Sequence, residues 1–226
     1  MVMRACVILP TYNEAENIRR VLTKLARQPV DVLVVDDNSP DRTARIAETC
    51  GARVLVRTKK EGLGKAYAAG MQYVMQDYDV VFEMDADLSH DPQDIRQFLE
   101  AIKNADFVIG SRYITGGATP DWNFVRKCIS KGGNMLGKSI AGLPYADCTS
   151  GYRAIRTNLL KTLDVSAIEG NGYAFQISLL KRAQKKQARI KEIPITFIDR
   201  KKGRSKLGIF DMLEFVIVCV KLRFTR

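Results

Sequence analysis

The stretch FEMDADLSHDP, residues 82–92, joins a predicted buried strand to a cluster of carboxylates. The apolar run at 80–82 is followed by four acidic residues, Glu83, Asp85, Asp87 and Asp91. A pair of aspartates one residue apart also occurs in surface turns, but its position after a buried strand favours a ligand site. Magnesium usually takes one or two carboxylates together with phosphate oxygens and water. We therefore expect Asp85 and Asp87 to hold Mg²⁺ or Mn²⁺, and the ion to hold a diphosphate.

Short apolar runs alternate with helix-like segments through the first half of the chain. The five runs are ACVIL (5–9), DVLVV (31–35), ARVLV (52–56), VVFEM (80–84) and ADFVIGS (105–111). Such runs, separated by helices, predict an α/β fold with a mostly parallel central sheet and helices on both faces. Polar clusters follow three of them, at 10–14, 36–39 and 85–87. Because ligands bind beyond the carboxyl ends of parallel strands, we expect these clusters to meet at one edge.

Local signals predict where several elements begin and end. Asn13 with Glu16 predicts a capping box, Ser39-Pro40 predicts the start of the next helix, and Asp91-Pro92 predicts another. Gly62 and Gly64 predict a turn before a helix near 65–76. Later in the chain we expect a helix over 171–187 and a last strand over 192–198.

Length and composition predict one domain over residues 1–226, with a C-terminal elaboration at about 112–226 and no transmembrane domain. No apolar run reaches the roughly 18 residues that a membrane-spanning helix needs. The net charge of +11 indicates an anionic partner: nucleic acid, a nucleotide or an anionic membrane surface. The single histidine, His90, disfavours a cysteine–histidine nucleophile.

Two further segments carry ligand-binding signals. Asp37, at the end of the second predicted strand, suits a hydrogen bond to a ribose or base, although it also fits a helix-capping turn. The loop DRKKGRSKLG (199–208) offers cationic side chains that suit phosphate, although it also fits a solvated loop. The segment after it fits either a tail packed on the domain or a helix on a membrane surface or a partner.

Eight motifs in a fixed order span nearly the whole chain. They are LPTYNEAENI (9–18), VVDDNSPDRTA (34–44), GLGKAYAAGM (62–71), EMDADLSHDP (83–92), VIGSRYITGG (108–117), DCTSGYRAI (147–155), GYAFQISLLKRA (172–183) and RKKGRSKLG (200–208), with a WxxxRK segment from Trp122 to Lys127. The ordered set resembles the dolichol-phosphate mannosyltransferases, which are polyprenyl-phosphate sugar synthases of glycosyltransferase family 2.

The resemblance implies a GT-A fold, a nucleotide-sugar donor and an inverting transfer to a lipid phosphate. It places the nucleoside against Pro10, Tyr12, Glu14, Val35 and Asp37. It places the diphosphate and metal at Asp85, Ala86 and Asp87. It assigns donor or acceptor phosphates to Arg112, Arg200 and Lys206, and it assigns the lipid phosphate to Arg126 and Lys127 together with Arg112.

This sequence departs from the family pattern at two positions. Relatives often have glutamine as a further metal contact where this chain has Ser89, and a hydroxyl is a weaker ligand. Relatives often carry glutamate where this chain has Ser178, so we assign that position no role.

The resulting hypothesis is a metal-dependent enzyme that transfers mannose from GDP-mannose to dolichyl or another polyprenyl phosphate. It is expected to act as a peripheral protein on the cytosolic face of a membrane. Whether a membrane-embedded partner subunit takes part is left open. Nucleic acid is not an expected partner, because a nucleic-acid binder would leave the acidic clusters without a purpose.

Two other enzymes are alternatives. One is a polyprenyl-phosphate glucosyltransferase, or another family 2 enzyme that uses a UDP-sugar. The other is a sugar-phosphate nucleotidyltransferase, which PTYNEAEN disfavours because a glycine-rich loop is expected there.

Overall fold

The computed structural model describes residues 3–199 and 209–224. Within them, one seven-stranded sheet has the strand order β3-β2-β1-β4-β6-β5-β7. Its strands are β1 (Ala5–Thr11), β2 (Asp31–Asp36), β3 (Arg53–Val56), β4 (Val80–Glu83), β5 (Phe107–Ser111), β6 (Arg153–Arg156) and β7 (Ile190–Pro194).

The sheet is parallel except at β6. Strand β1 pairs in parallel with both β2 and β4, whereas β6 runs antiparallel to its neighbours β4 and β5. The chain leaves β1 toward β2 and β3, and it returns to the other side of β1 at β4. This reversal of strand order leaves a crevice at the carboxyl ends of β1 and β4, where α/β sheets bind ligands.

Eight α-helices accompany these strands in the described residues. They are α1 (Ala15–Leu25), α2 (Thr43–Thr49), α3 (Leu63–Val74), α4 (Ile95–Ala101), α5 (Phe124–Ala141), α6 (Thr157–Leu160), α7 (Tyr173–Lys185) and α8 (Ile209–Phe224).

Helices cover both faces of the sheet, as the sequence predicted. Side chains along β1 alternate between two cores, with Ile8 in one and Val7 in the other. The Ile8 core is closed by α3 and α7, and the Val7 core by α1, α2 and α4. Residues on both faces of β1 are buried, which explains why its sequence is a continuous apolar run from Ala5 to Leu9.

Several predicted boundaries are wrong at the level of single turns. Asn13 takes a left-handed φ of 61° and lies one residue too early to cap α1. The residue before α1 is Glu14, and the Glu14 side chain makes no capping hydrogen bond. Helix α2 begins at Thr43 rather than after Ser39-Pro40, and Asp41 accepts hydrogen bonds from the Thr43 backbone and hydroxyl. The strand predicted over 192–198 is Ile190–Pro194, and in the described residues up to 199 it is followed only by an isolated bridge between Thr196 and Ala118.

Two predicted element starts, at Asp91-Pro92 and at Gly62, are confirmed. Asp91 caps a short 3₁₀ helix, Pro92–Asp94, by accepting a hydrogen bond from the Gln93 backbone, with Pro92 in its first turn. Gly62 precedes α3 with a φ of 98°, which a residue with a side chain rarely adopts. No helix in 3–199 or 209–224 is both long and apolar enough to cross a bilayer.

Candidate active site

The polar segments after β1, β2 and β4 meet at one edge of the sheet. In the strand register, Pro10 lies beside Val35 and Thr11 beside Asp36, while Ile8 lies beside Glu83. The sheet therefore brings the predicted nucleoside residues and the predicted metal residues to the same edge.

Asp37 is nearly buried and forms an ion pair with Arg57, whose Nε lies 3.0 Å from its Oδ1. Burial raises the pKa of Asp37, although Arg57 opposes that shift. Its neighbour Asp36 accepts hydrogen bonds from Thr11 and Ser39 and so ties β1 to the loop after β2. Asp36 is thus structural, and Asp37 lies beside a guanidinium at the predicted nucleoside position.

The other residues predicted to bind the nucleoside differ in the groups that they can present to a ligand. Lys60 lies over the ring of Tyr12, with its Nζ 4.1 Å from the ring centroid. Glu14 accepts a hydrogen bond from the Asn17 side chain. Pro10 is half-buried, whereas the Val35 side chain is buried in the core, so Val35 can offer a ligand only its backbone.

The segment Asp85-Ala86-Asp87 follows β4 with two half-buried carboxylates around a buried alanine. Tyr67 donates a hydrogen bond of 3.4 Å to Asp85 Oδ1, and the Ser89 backbone donates one of 3.0 Å to Asp87 Oδ1. Leu88 takes a left-handed φ of 68°, a conformation that is unusual for a branched side chain. The turn is therefore held in a strained conformation by contacts to both aspartates.

The remaining acids of the stretch have other roles. Glu83 is fully buried, 3.8 Å from Nε of the buried Arg153, and burial raises the pKa of Glu83 to about 7. Asp91 caps a helix, as described above. Only Asp85 and Asp87 of the four are left as candidate ligands for a cation.

His90 is fully buried under Tyr152, with ring centroids 4.8 Å apart. Its Nδ1 accepts a hydrogen bond of 3.2 Å from the Asp85 backbone, and burial lowers the pKa of His90 to about 4. A neutral imidazole with Nδ1 already accepting a hydrogen bond supports the turn and is unsuited to act as a general base.

The residues present fit a divalent cation. Two adjacent half-buried carboxylates match the small number that Mg²⁺ takes when phosphate and water complete its shell. The buried Ser89 Oγ has no hydrogen-bond partner among the described residues, as expected for an oxygen that completes a ligand shell. The described residues contain no group of three or more His, Cys, Asp or Glu side chains that could hold a metal, so a diphosphate would have to supply the other ligands.

Arg112 follows β5 and is almost fully buried against Asp147. Its Nε and Nη2 donate to the two Asp147 oxygens at 2.7 and 2.8 Å, and Nη2 also donates to Thr149. Burial acts to raise the pKa of Asp147, but the guanidinium holds that pKa below its ordinary value. The pair therefore stays charged and fixes the orientation of Arg112.

A cavity of about 300 Å³ opens beside Arg112. It is lined by Arg112, Tyr113, Trp122, Lys127, Lys131 and the segment 117–120. Three cationic side chains with no acidic one in the wall suit an anion such as a phosphate.

Arg126 lies next to this cavity and not among its lining residues. Its guanidinium stacks 4.6 Å from the Trp122 ring centroid and forms an exposed ion pair with Asp199. The predicted set Arg112, Arg126 and Lys127 is thus gathered around Trp122.

One aromatic ring separates the aspartate turn from the basic cavity. The Phe197 ring lies 5.4 Å from His90 and 5.5 Å from Trp122, centroid to centroid. The backbone of Ile198 donates a hydrogen bond of 3.1 Å to the carbonyl of Ser89. Phe197 and Ile198 therefore connect the turn that bears Asp85 and Asp87 to the wall of the basic cavity.

Arg200 and Lys206 lie outside the described residues, so their predicted roles stay predictions. Sequence reasoning missed Arg57, Asp147 and Lys131. Nothing local marks Arg57 or Lys131, but Asp147 belongs to the quoted DCTSGYRAI motif and could have been singled out there.

The strand order, the reversal at β1 and the polar edge define an α/β protein with a GT-A type of fold. The glucosyl-3-phosphoglycerate synthase of Mycobacterium tuberculosis, in a structure with Mn²⁺, UDP and glucosyl-3-phosphoglycerate, superposes with a TM-score of 0.75. The two chains are 21% identical, and the match covers 98% of this chain and 80% of the other. That likeness supports the GT-A fold predicted from the sequence.

The glycosyl transferase family 2 model matches residues 6–164, and the chain belongs to this family. It is therefore a glycosyltransferase, as the sequence predicted.

Curated relatives extend the match over most of the chain. An undecaprenyl-phosphate mannosyltransferase of Micrococcus luteus is 46% identical, over 91% of this chain and 88% of the relative. A polyprenol monophosphomannose synthase of Mycolicibacterium smegmatis is 41% identical, over 91% and 81%. A dolichol-phosphate mannosyltransferase of Pyrococcus furiosus is 38% identical, over 97% of this chain and 64% of the relative.

Proposed function

We propose that the protein transfers mannose from GDP-mannose to a polyprenyl phosphate, of which dolichyl phosphate is one example, with inversion at the sugar. The observation that carries this proposal is that Phe197 contacts both His90, in the turn that bears Asp85 and Asp87, and Trp122, in the wall of the basic cavity. The mannosyltransferase relatives support the choice of sugar and acceptor class.

The acceptor supplies its own nucleophile in this reaction. A phosphate monoester has a second pKa of about 6 and is largely dianionic at neutral pH. Its oxygen attacks C1 of mannose, the bond from C1 to the diphosphate oxygen breaks, and the electron pair leaves with GDP. No general base is needed. This agrees with the single histidine, His90, which is buried and neutral and accepts a hydrogen bond from the Asp85 backbone.

Each group of residues has a distinct task. Asp37, together with Tyr12 and Glu14 after the neighbouring strand β1, binds the nucleoside, and the backbone at Pro10 and Val35 lies beneath that site. Asp85 and Asp87, with Ser89, hold Mg²⁺ or Mn²⁺, which when bound supplies positive charge to the leaving diphosphate.

The cationic residues bring two anions together. Arg112 and Lys127 bind the acceptor phosphate in the cavity, with Arg126 at its edge. The Arg112 guanidinium also lies 5.8 Å from the centroid of the Phe197 ring. We assign Arg200 and Lys206 to the donor phosphates on the strength of the family pattern alone. We further propose that the enzyme acts at the cytosolic face of a membrane, where its acceptor lipid is embedded.

The test is a transfer assay with purified protein, radiolabelled GDP-mannose, dolichyl phosphate and Mg²⁺ or Mn²⁺. We expect label in the extracted lipid, and we expect EDTA to abolish it. Label from UDP-glucose in place of GDP-mannose would keep the reaction class and change the sugar. Failure with every nucleotide sugar, from a protein shown to be folded, would contradict the proposal.

A further inference from the structure

The cationic walls of the basic cavity come from two different parts of the fold. Arg112 follows β5 directly, whereas Lys127 and Lys131 belong to α5. A phosphate bound between these walls needs them at a fixed separation, because a charge-assisted hydrogen bond depends on the distance and angle between its partners. The contacts that hold α5 beside the end of β5 therefore decide how well the cavity binds an anion.

The segment 146–149 connects the two walls. It belongs to no helix or strand, and most of it is buried. Its Asp147 accepts three hydrogen bonds from Arg112, one from the backbone and two from the guanidinium. Asp147 can fix Arg112 only if the backbone of the segment is itself fixed. The groups that hold this segment therefore also position Arg112.

Asn134 ties the segment to the cavity side of α5. Its side chain donates a hydrogen bond of 2.6 Å to the Ala146 carbonyl and accepts one of 2.9 Å from the Cys148 backbone. Lys127, Lys131 and Asn134 follow the i, i+4, i+7 spacing of one helix face. The face of α5 that supplies two cations to the cavity thus also holds the segment that orients Arg112.

Glu192 ties the same segment to the sheet. It lies on β7 beside Ile109 of β5, and its two carboxylate oxygens accept hydrogen bonds of 2.8 and 3.0 Å from the backbones of Ala146 and Asp147. Hydrogen bonds to a carboxylate are stronger than those between neutral groups. Since Arg112 directly follows β5, Glu192 fixes the segment relative to the strand that carries Arg112.

The placement of these hydrogen bonds indicates more than the satisfaction of buried backbone groups. The four bonds from Asn134 and Glu192 all fall on Asp147 and the residues on either side of it. Asp147 is the residue that holds Arg112, so the segment is fixed most firmly at the point where it meets the cavity.

We propose that Asn134 and Glu192 are positioning residues that hold Arg112 opposite Lys127 and Lys131 and so set the affinity of the cavity for a phosphate. They act through the intervening segment and do not touch the phosphate. The proposal deepens the proposed function and rests on it for the identity of the acceptor, a polyprenyl phosphate.

The single tryptophan of the chain, Trp122, lies in the cavity wall and can report binding there. The experiment titrates the full chain with farnesyl phosphate, a short polyprenyl phosphate, and follows the fluorescence of Trp122. One test variant is Asn134→Ala, which removes both hydrogen bonds and keeps a good helix former. The other is Glu192→Gln, which keeps the shape of the side chain and removes its charge.

The control is Asp106→Asn, at a carboxylate that also accepts a backbone hydrogen bond, from Arg189 just before β7. Urea unfolding curves identify the variants that are folded. Should Asn134→Ala be unfolded, the milder Glu192→Gln decides the result alone.

We expect farnesyl phosphate to bind the two test variants on the order of tenfold more weakly than the wild-type protein, because Arg112 no longer meets the phosphate in a fixed orientation. Asp106→Asn should bind it as the wild-type protein does. Farnesol, which has the same chain and no phosphate, should bind all four proteins alike. In the transfer assay, the KM for polyprenyl phosphate should rise in the test variants while the KM for GDP-mannose stays unchanged, a division that a role in folding alone would not produce.

Unchanged affinity for farnesyl phosphate in a folded test variant would overturn the proposal, as would an equal loss of farnesol binding or no binding of farnesyl phosphate by the wild-type protein. The proposed function fails separately. Weaker binding of farnesyl phosphate by the variants of a protein that transfers no sugar would keep the positioning role and remove the proposed function. Transfer with an unchanged KM for polyprenyl phosphate in both variants would do the reverse.

Discussion

Asp87 and Asp147 are both aspartates near the proposed site, yet their surroundings give them different tasks. Asp147 is fully buried, and both of its oxygens accept hydrogen bonds from Arg112. Asp87 is half-buried and lies on a strained turn beside the unpartnered hydroxyl of Ser89. Asp147 therefore holds the Arg112 guanidinium in position, whereas Asp87 suits a metal cation taken from solution.

Replacing Asp87 with Asn should abolish most transfer and leave the fold intact. The change keeps the shape of the side chain and removes the charge that would bind Mg²⁺ or Mn²⁺. We expect kcat/KM to fall roughly a hundredfold or more, since metal assistance contributes several kcal/mol. The control is Asp77→Asn at an exposed position after α3, and full activity in Asp87→Asn would rule out the metal site at this turn.

Replacing Asp147 with Asn should destabilise the fold as well as reduce activity. Arg112 would be left charged and almost fully buried without its partner, which typically costs about 3–5 kcal/mol of unfolding free energy. Urea denaturation measures this loss. The matched control is Asp106→Asn, which removes a similar two-pronged contact to an exposed arginine, Arg189, and should cost far less. Equal losses in the two variants would contradict the assigned role of the buried pair.

At this scale, motifs marked the residues that are predicted to form the site, but the sequence could not separate those residues by role. The four acids of the opening stretch look alike in sequence, but Glu83 is paired with Arg153 from β6, which is seventy residues away. Such pairings depend on which strands become neighbours, and no local pattern encodes that.

At the scale of elements, the prediction was best where each strand is buried on both faces. The strands β1, β2 and β4 each contain a buried run of apolar residues, and all three were predicted. Strand β6 was missed because its four residues, RAIR, include two arginines. In the fold, both arginine side chains donate hydrogen bonds to backbone carbonyls. Helix α5 was missed because three glycines interrupt it and its outward face is apolar, which is the reverse of the usual pattern.

Two glycine substitutions test how the helices pack. A Cβ at Gly64, in the first turn of α3, would lie 2.6 Å from the Gly170 carbonyl oxygen, whereas a Cβ at Gly133 of α5 would meet nothing within 4 Å. We expect Gly64→Ala to lower the unfolding free energy by about 1–3 kcal/mol. We expect Gly133→Ala to be neutral or to raise it by up to about 1 kcal/mol, because alanine favours a helix. Denaturation curves that rank the two variants in the opposite order would contradict the packing of α3 against the segment before α7.

At the scale of the whole molecule, the proposed donor and metal should stabilise the folded protein together. A ligand at a hundredfold excess over its Kd adds about 2.7 kcal/mol, which corresponds to a rise of roughly 5–10 °C in Tm for a chain of this size. We expect GDP with Mn²⁺ to produce that rise and GDP with EDTA to produce much less. An equal rise with and without the metal would contradict the shared binding of diphosphate and cation.

The net charge of +11 predicts anionic partners from the sequence alone, but the position of the cationic surface could be found only from the fold. Basic residues that are far apart in the chain, Arg112 and Lys131 among them, meet only because α5 packs beside the end of β5. Composition therefore predicts the sign of the partner's charge, and the fold shows which residues form the proposed binding cavity.

The central claim is that a phosphate oxygen of the acceptor is the nucleophile, held in the cavity of Arg112, Lys127 and Lys131. The most direct measurement compares transfer from GDP-mannose to a polyprenyl phosphate with transfer to the free polyprenol of equal chain length. The account predicts labelled lipid with the phosphate and none with the alcohol. Comparable transfer to the alcohol would contradict it, because the protein would then have to supply a base that the proposed site does not provide.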